Sequence, residues 1–218
     1  IAGLTVIAWL YLGWLAAGMN EPLAMEGMEM EGMGAMAAPA FEPWSAADFG
    51  FTFSMWGVMM VGMMAPAAAP VILLYVRVAR QAADRGQSFA DTGWFAAGYF
   101  ATWLGFALLA TLAQWLLEGA ALLPPMLATN GTLVGGLILI AVGLYQWTPL
   151  KNACLAQCQS PLAFIQRHGG FRAAPWPSLG LGARHGIYCV GCCWALMVLL
   201  FVGGVMNLLW IAGIALVV

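Results

Sequence analysis

Residues 186–218 read GIYCVGCCWALMVLLFVGGVMNLLWIAGIALVV and contain no charged side chain. About 20 mostly apolar residues are enough to cross the hydrocarbon core of a bilayer, so this stretch is too long for one ordinary span. Within it, residues 203–207 read GGVMN, which is typical of a tight turn. We therefore predict two helices here, one over residues 186–202 and one that starts near Leu208. One long tilted helix is the alternative.

The whole chain has a membrane protein's composition: 63% of its 218 residues are hydrophobic, 7% are charged, and the mean hydropathy is +0.89. A soluble domain carries roughly 25% charged residues, so the water-soluble globular classes are excluded. Further candidate spans lie at residues 1–18, within 48–78, at 92–117 and at 131–147. The prediction is an all-α fold, a polytopic transmembrane helical bundle of about six helices that forms one transmembrane domain over residues 1–218. Because the chain starts at Ile1 and stops at Val218 inside an apolar run, we expect it to continue beyond both ends.

The charged residues are segregated along the chain. All the basic residues fall in two connections, between the second and third and between the fourth and fifth predicted helices. The positive-inside rule makes this side cytoplasmic. We therefore expect a protein of the bacterial inner membrane, with the Cys-containing loop 151–184 on the cytoplasmic side and the Met/Glu-rich loop 19–49 on the outer side. The expected partners are the lipid bilayer and other membrane protein subunits; nucleic acid is not expected, because so few basic residues cannot neutralise a run of phosphates. The basic residues are Arg77, Arg80, Arg85, Lys151, Arg167, Arg172 and Arg184.

Methionine is concentrated on the predicted outer side, with eleven of the fourteen between positions 19 and 64. Residues 25–36 read MEGMEMEGMGAM, and residues 55–66 read MWGVMMVGMMAP. A thioether is a soft, neutral ligand that suits Cu(I), and spacings of four residues place sulfurs along one helix face. Packing is the alternative role, since methionine fills irregular gaps. The candidate ligands in the second predicted helix are Met55, Met59, Met60, Met63 and Met64.

All five cysteines lie in the C-terminal third of the chain. We predict that one pair follows the fourth helix and that the other three begin the fifth, near the cytoplasmic interface where thiols stay reduced. Clustered thiols at helical spacing are typical of copper, zinc or iron–sulfur ligands, while packing as small hydrophobes is the alternative. The candidate metal ligands here are Cys154, Cys158, His185, Cys189, Cys192 and Cys193.

Three runs resemble a known family. They are MWGVMMVGMMAPAAAPVILLY at 55–75, GLYQWTPLKNACLAQCQSPLAF at 143–164 and RHGIYCVGCCWALMVLLFVGGVMNLLW at 184–210. They are similar to the bacterial predicted metal-binding integral membrane proteins, the domain-of-unknown-function family 2182. The resemblance implies a polytopic helical membrane protein with a metal-binding label and supplies no established activity.

The leading hypothesis is a membrane protein that binds or handles a soft metal, copper first, alone or as an accessory subunit of a membrane metalloenzyme complex. The sequence has no P-loop, no Gly-x-Gly-x-x-Gly and no paired carboxylate, so we expect no enzyme. One alternative is a purely structural subunit of a larger membrane complex. Another is a membrane thiol–disulfide oxidoreductase that uses Cys154 and Cys158 against Cys189 and Cys192.

Overall fold

The computed structural model describes residues 2–29, 44–86, 91–119, 131–171, 174–204 and 207–218. Within these ranges the regular secondary structure is entirely helical, which confirms the all-α class. The helices are α1 (Ala2–Glu29), α2 (Ala46–Asp84), α3 (Thr92–Gly119), α4 (Gly131–Gln146), α5 (Pro149–Gln159), α6 (Pro161–Arg167), α7 (Pro175–Gly203) and α8 (Leu208–Val217).

Three of these helices, α2, α3 and α7, are long and apolar enough to cross a membrane. The apolar parts of α1, α4 and α8 are shorter, at Ala2–Gly18, Gly135–Gln146 and Leu208–Val217. Six spans therefore remain a prediction. The split of the uncharged C-terminal stretch into two helices is confirmed, because α7 ends at Gly203 and Gly204 has a φ of 89°. That value lies in the left-handed region, which favours glycine.

Two predicted loops contain helix. Helix α1 continues to Glu29, so the first eleven residues of the predicted outer loop are helical; residues 30–43 of that loop lie outside the described residues, as do the side chains of 19–29. The predicted inner loop 151–184 holds most of α5, all of α6 and the start of α7. A capping residue and a proline begin α5, where Thr148 Oγ1 accepts a hydrogen bond from Lys151 N and Pro149 follows.

Helix α7 begins at Pro175, eleven residues before the predicted start at Gly186. The prediction treated Arg184 as the end of a loop, but this side chain is exposed on the helix surface and does not interrupt the helix. A single arginine is tolerated in such a position because its long stem carries the charge away from the apolar surface. The cysteines 189–193 consequently lie near the middle of a 29-residue helix rather than at its beginning. This corrects the predicted position of the cysteines at a helix start.

Helices α3 and α7 approach each other closely through glycines. A Cβ added at Gly98 would overlap the carbonyl oxygen of Leu179, and one added at Gly182 would overlap the carbonyl oxygen of Phe95. Thr102 Oγ1 donates a hydrogen bond across the same interface to the Ala183 carbonyl at 3.2 Å. Small residues that allow backbones to approach are the usual basis of helix packing in membranes. This contact fixes the part of α7 that precedes the cysteines.

The core lies between α2, α3 and α7. At one end Trp56 faces Phe201, with ring centroids 5.1 Å apart, and at the other Tyr75 stacks on Phe95 at 4.5 Å. Helix α3 packs against both α2 and α7, and α5 also packs on α7. The five candidate methionines of α2 are all buried in this core. Met55 directly precedes Trp56, and the other four lie between Trp56 and Tyr75.

Candidate metal centre

Three cysteine sulfurs converge inside the bundle. The Sγ atoms of Cys158 on α5 and of Cys189 and Cys192 on α7 all lie within 4.8 Å of one another. Cys189 and Cys192 share a face of α7 because residues three apart are neighbours on a helix surface. Both are buried, at 6% and 7% exposure, whereas Cys158 is half-buried. We call these three residues the thiol triad.

Helix α5 packs closely against α7 at Gly191, which has no side chain. The Cβ position of this glycine lies 2.8 Å from Cys154 Sγ, so any larger residue would displace the Cys154 thiol. The hydroxyl of Tyr145, at the end of α4, donates a hydrogen bond to the Gly191 carbonyl. This hydrogen bond connects the end of α4 to α7 just before α5 begins. Helix α5 then places Cys158 close to Cys189 and Cys192.

The pKa values of the two thiols of α5 are raised, which favours their protonated form. Hydrogen bonds to the Cys189 and Cys192 sulfurs, together with burial, raise the pKa of the Cys158 thiol. Burial, and then the nearby Cys192, raise the pKa of the Cys154 thiol. Since only the thiolate is a good metal ligand, a metal that binds Cys158 must displace its proton. Metal binding at the triad is therefore expected to release a proton.

His185 and Cys193 share the helix face of the triad but lie outside it. The Cys193 thiol donates a hydrogen bond to the Cys189 carbonyl at 2.8 Å, and its side chain is 2% exposed. The His185 ring is 4% exposed and packs against aromatic rings, with centroid distances of 5.0 Å to Phe164 and 5.9 Å to Tyr99. Its Nδ1 atom has no hydrogen-bond partner among the residues that the structure describes.

Tyr99 links the triad to α2. Its hydroxyl lies 3.3 Å from Cys189 Sγ and donates to the Met64 carbonyl at 3.4 Å. The hydroxyl has one proton, so it can donate to the sulfur only if the bond to Met64 weakens. We did not predict this residue from the sequence. A usable signal was present, because a tyrosine hydroxyl in the middle of an apolar helix needs a polar partner.

The candidate methionines are buried in the core. Met55, Met59, Met60, Met63 and Met64 are all at most 5% exposed, and the Tyr99 hydroxyl connects the Met64 carbonyl to the Cys189 sulfur. Another buried thioether, Met197, lies on α7 one helical turn beyond Cys193. The prediction did not consider it because eleven of the fourteen methionines lie before residue 65.

Comparison with known proteins gives one family. The model of the PpoB2 family, described as a copper chaperone, matches residues 53–218, which are 166 of the 218 residues and include every candidate ligand named above. No curated protein and no solved structure matches the chain. The match is to a copper-related family, in agreement with the predicted soft-metal role, while the family name given from resemblance stays a prediction.

Proposed function

Because the chain belongs to the PpoB2 copper chaperone family, we propose that it is an integral membrane copper-handling protein in which the thiol triad holds Cu(I) as cargo. The observation that carries this proposal is the convergence of Cys158, Cys189 and Cys192 within 4.8 Å of one another. The three long apolar helices support the membrane location. In this proposal the Lys/Arg-bearing connections face the cytoplasm, and the protein passes copper to a partner membrane protein as an accessory subunit.

The donor set suits Cu(I) better than Zn(II). A metal–sulfur bond of about 2.3 Å in a planar three-coordinate site separates the sulfurs by ~4 Å, which lies within the 4.8 Å limit that holds for the triad. Structural zinc takes four ligands, and among the described residues no fourth His, Cys, Asp or Glu side chain joins the three that lie within 4.8 Å of one another. Thiolates are soft ligands that favour Cu(I). Three sulfurs in a buried place therefore support a Cu(I) site.

The decisive experiment is a Cu(I) titration of the purified, reduced protein in detergent under anaerobic conditions, against a chromophoric Cu(I) chelator. We expect one tightly held Cu(I) per chain and a first shell of sulfur at about 2.3 Å in X-ray absorption. A parallel titration with Zn(II) should not displace the copper. Failure to bind copper stoichiometrically, or a first shell of nitrogen and oxygen, would contradict the proposal.

Tyr99 is expected to strengthen the site by donating a hydrogen bond from its hydroxyl to the Cys189 thiolate once the metal is bound. Such outer partners of metal ligands typically contribute about 10–100-fold in metal affinity. Tyr99→Phe keeps the ring and its packing, so we expect Cu(I) affinity to fall within that range while the stoichiometry stays the same. The chelator competition measures the change. Tyr11→Phe, which removes a half-buried hydroxyl on α1, is the control and should leave the affinity unchanged.

The methionine face of α2 is proposed to carry additional, weaker Cu(I). Thioethers bind without losing a proton, so buried methionines can take up the ion without creating charge. The double variant Met59→Leu and Met63→Leu preserves core volume and should lose these weaker equivalents, measured at excess Cu(I), while the triad site is retained. Met197→Leu removes a buried thioether from α7 and is the matched control. Equal stoichiometry in all three proteins would assign the methionines to packing.

The second candidate is a purely structural subunit, and the burial of all five α2 methionines favours it. In that case thioethers and thiols fill space as ordinary hydrophobic groups. The purified protein would then bind no stoichiometric copper and would co-migrate with other membrane subunits in native gels. The copper proposal requires the opposite result in the titration, so the two functions are separable.

A further inference from the structure

Cys154 has no role in the triad, although it lies beside it. It precedes Cys158 by one helical turn on α5, so the two side chains share a face of that helix. It is half-buried, like Cys158, whereas Cys189, Cys192 and Cys193 are buried. Of the two thiols outside the triad, Cys154 and Cys193, it is thus the one that a ligand from outside the bundle can reach.

The position of Cys154 depends on the absence of a side chain at Gly191. Its Sγ lies 2.8 Å from the place that a Cβ of Gly191 would occupy, directly before Cys192 in the chain. The Tyr145 hydroxyl holds the Gly191 carbonyl in place. The thiol is therefore held against α7 next to one ligand of the triad rather than turned away from it.

We propose that Cys154 is the exchange ligand through which Cu(I) passes between the thiol triad and the sulfur ligands of a partner protein. This inference rests on the proposed Cu(I) site. On unloading, a bond from Cu(I) to Cys154 Sγ forms as the bond to Cys192 Sγ breaks, and the Cys154 proton moves to the released Cys192 thiolate. Copper stays Cu(I) and no electron is transferred. The partner's sulfur ligands then replace Cys154, Cys158 and Cys189 one after another, and each released thiolate takes up a proton from the incoming thiol or from water. Loading is the reverse sequence.

Stepwise exchange is expected because two of the three triad ligands are buried. Cys189 and Cys192 are 6% and 7% exposed, so a partner's ligand cannot approach them directly. If Cu(I) lost all its sulfur ligands at once, its charge would be uncoordinated in an apolar interior, which costs a large amount of free energy. An intermediate ligand at the open edge of the site keeps copper bonded to sulfur throughout.

The test is the rate at which copper-loaded protein gives Cu(I) to a chromophoric chelator in stopped flow, with equilibrium stoichiometry measured in parallel. Cys154→Ser removes the soft ligand, and Gly191→Ala keeps the thiol but displaces it. We expect both variants to retain one Cu(I) per chain, with transfer slowed about tenfold or more because the exchanging atom is misplaced. Ala153→Ser, an exposed neighbour on α5, and Gly180→Ala, with no atom within 4 Å of its Cβ position, should transfer at the wild-type rate.

The outcomes separate this inference from the proposed function. If wild-type protein binds Cu(I) and both variants transfer it at the wild-type rate, the exchange role is overturned while the copper site stands. If Cys154→Ser loses its bound copper, Cys154 is a resident ligand and the exchange role is likewise overturned. If wild-type protein binds no Cu(I), the proposed function itself fails. Should Gly191→Ala elute as an aggregate in gel filtration, Cys154→Ser decides the result alone.

Discussion

The double variant Cys189→Ser and Cys192→Ser is expected to abolish stoichiometric Cu(I) binding. Two of the three sulfurs that converge within 4.8 Å are removed, and Cys158 alone cannot hold the ion. Serine hydroxyls are hard ligands with little affinity for Cu(I), so the affinity should fall by about three orders of magnitude or more. The chelator competition measures this loss, and the sulfur-to-copper absorption in the near ultraviolet should disappear with it.

Cys193→Ser is the matched control for this loss. Cys193 is adjacent to the triad in the chain and is 2% exposed, and its thiol donates to the Cys189 carbonyl. A serine hydroxyl can make the same hydrogen bond, so the fold and the copper stoichiometry should be preserved. The thiol triad would be the wrong site if the double variant still bound one Cu(I), or if Cys193→Ser lost copper to the same extent.

The helices were largely predictable because hydrophobic length is a local property of the sequence. The uncharged stretch at residues 186–218 predicted two helices with a break near Gly203, and the break is there. The start of α7 was not predictable from the charge pattern, since Arg184 is exposed on the helix surface. Its start at Pro175 has a local signal, a proline in the first turn, and the helix then packs closely on α3 through Gly182. A glycine or serine at every fourth position, at 178, 182 and 186, was the available signal in the sequence.

The site was predictable only in part. Helical spacing places Cys189 and Cys192 on one face, but the same spacing also includes His185 and Cys193, which the structure leaves outside the triad. Whether Cys154 or Cys158 joins Cys189 and Cys192 depends on how α5 packs against α7 at Gly191. No local sequence pattern encodes that contact. Sequence reasoning therefore identifies a set of soft ligands, while tertiary packing selects which of them converge.

Gly182→Ala is expected to destabilise the protein severely. The new Cβ would overlap the carbonyl oxygen of Phe95, which is backbone and cannot rotate away, so α3 and α7 must move apart. Overpacking of this kind costs about 3 kcal/mol or more, and for a chain of this length that corresponds to a fall in Tm of roughly 6–12 °C. The separation would also move Cys189 away from Tyr99, so copper binding should weaken together with the fold. Thermal unfolding in detergent and the Cu(I) titration measure the two effects.

Gly180→Ala provides the comparison that isolates this contact. Gly180 lies two residues earlier on α7 and has no heavy atom within 4 Å of its Cβ position. Alanine favours a helix over glycine by about 1 kcal/mol, so Tm should stay the same or rise and Cu(I) binding should be unaffected. Equal Tm values for the two variants would show that the α3–α7 contact is looser than the structure has it. A fall confined to Gly182→Ala, accompanied by weaker copper binding, would show that the glycine contact between α3 and α7 positions the thiol triad.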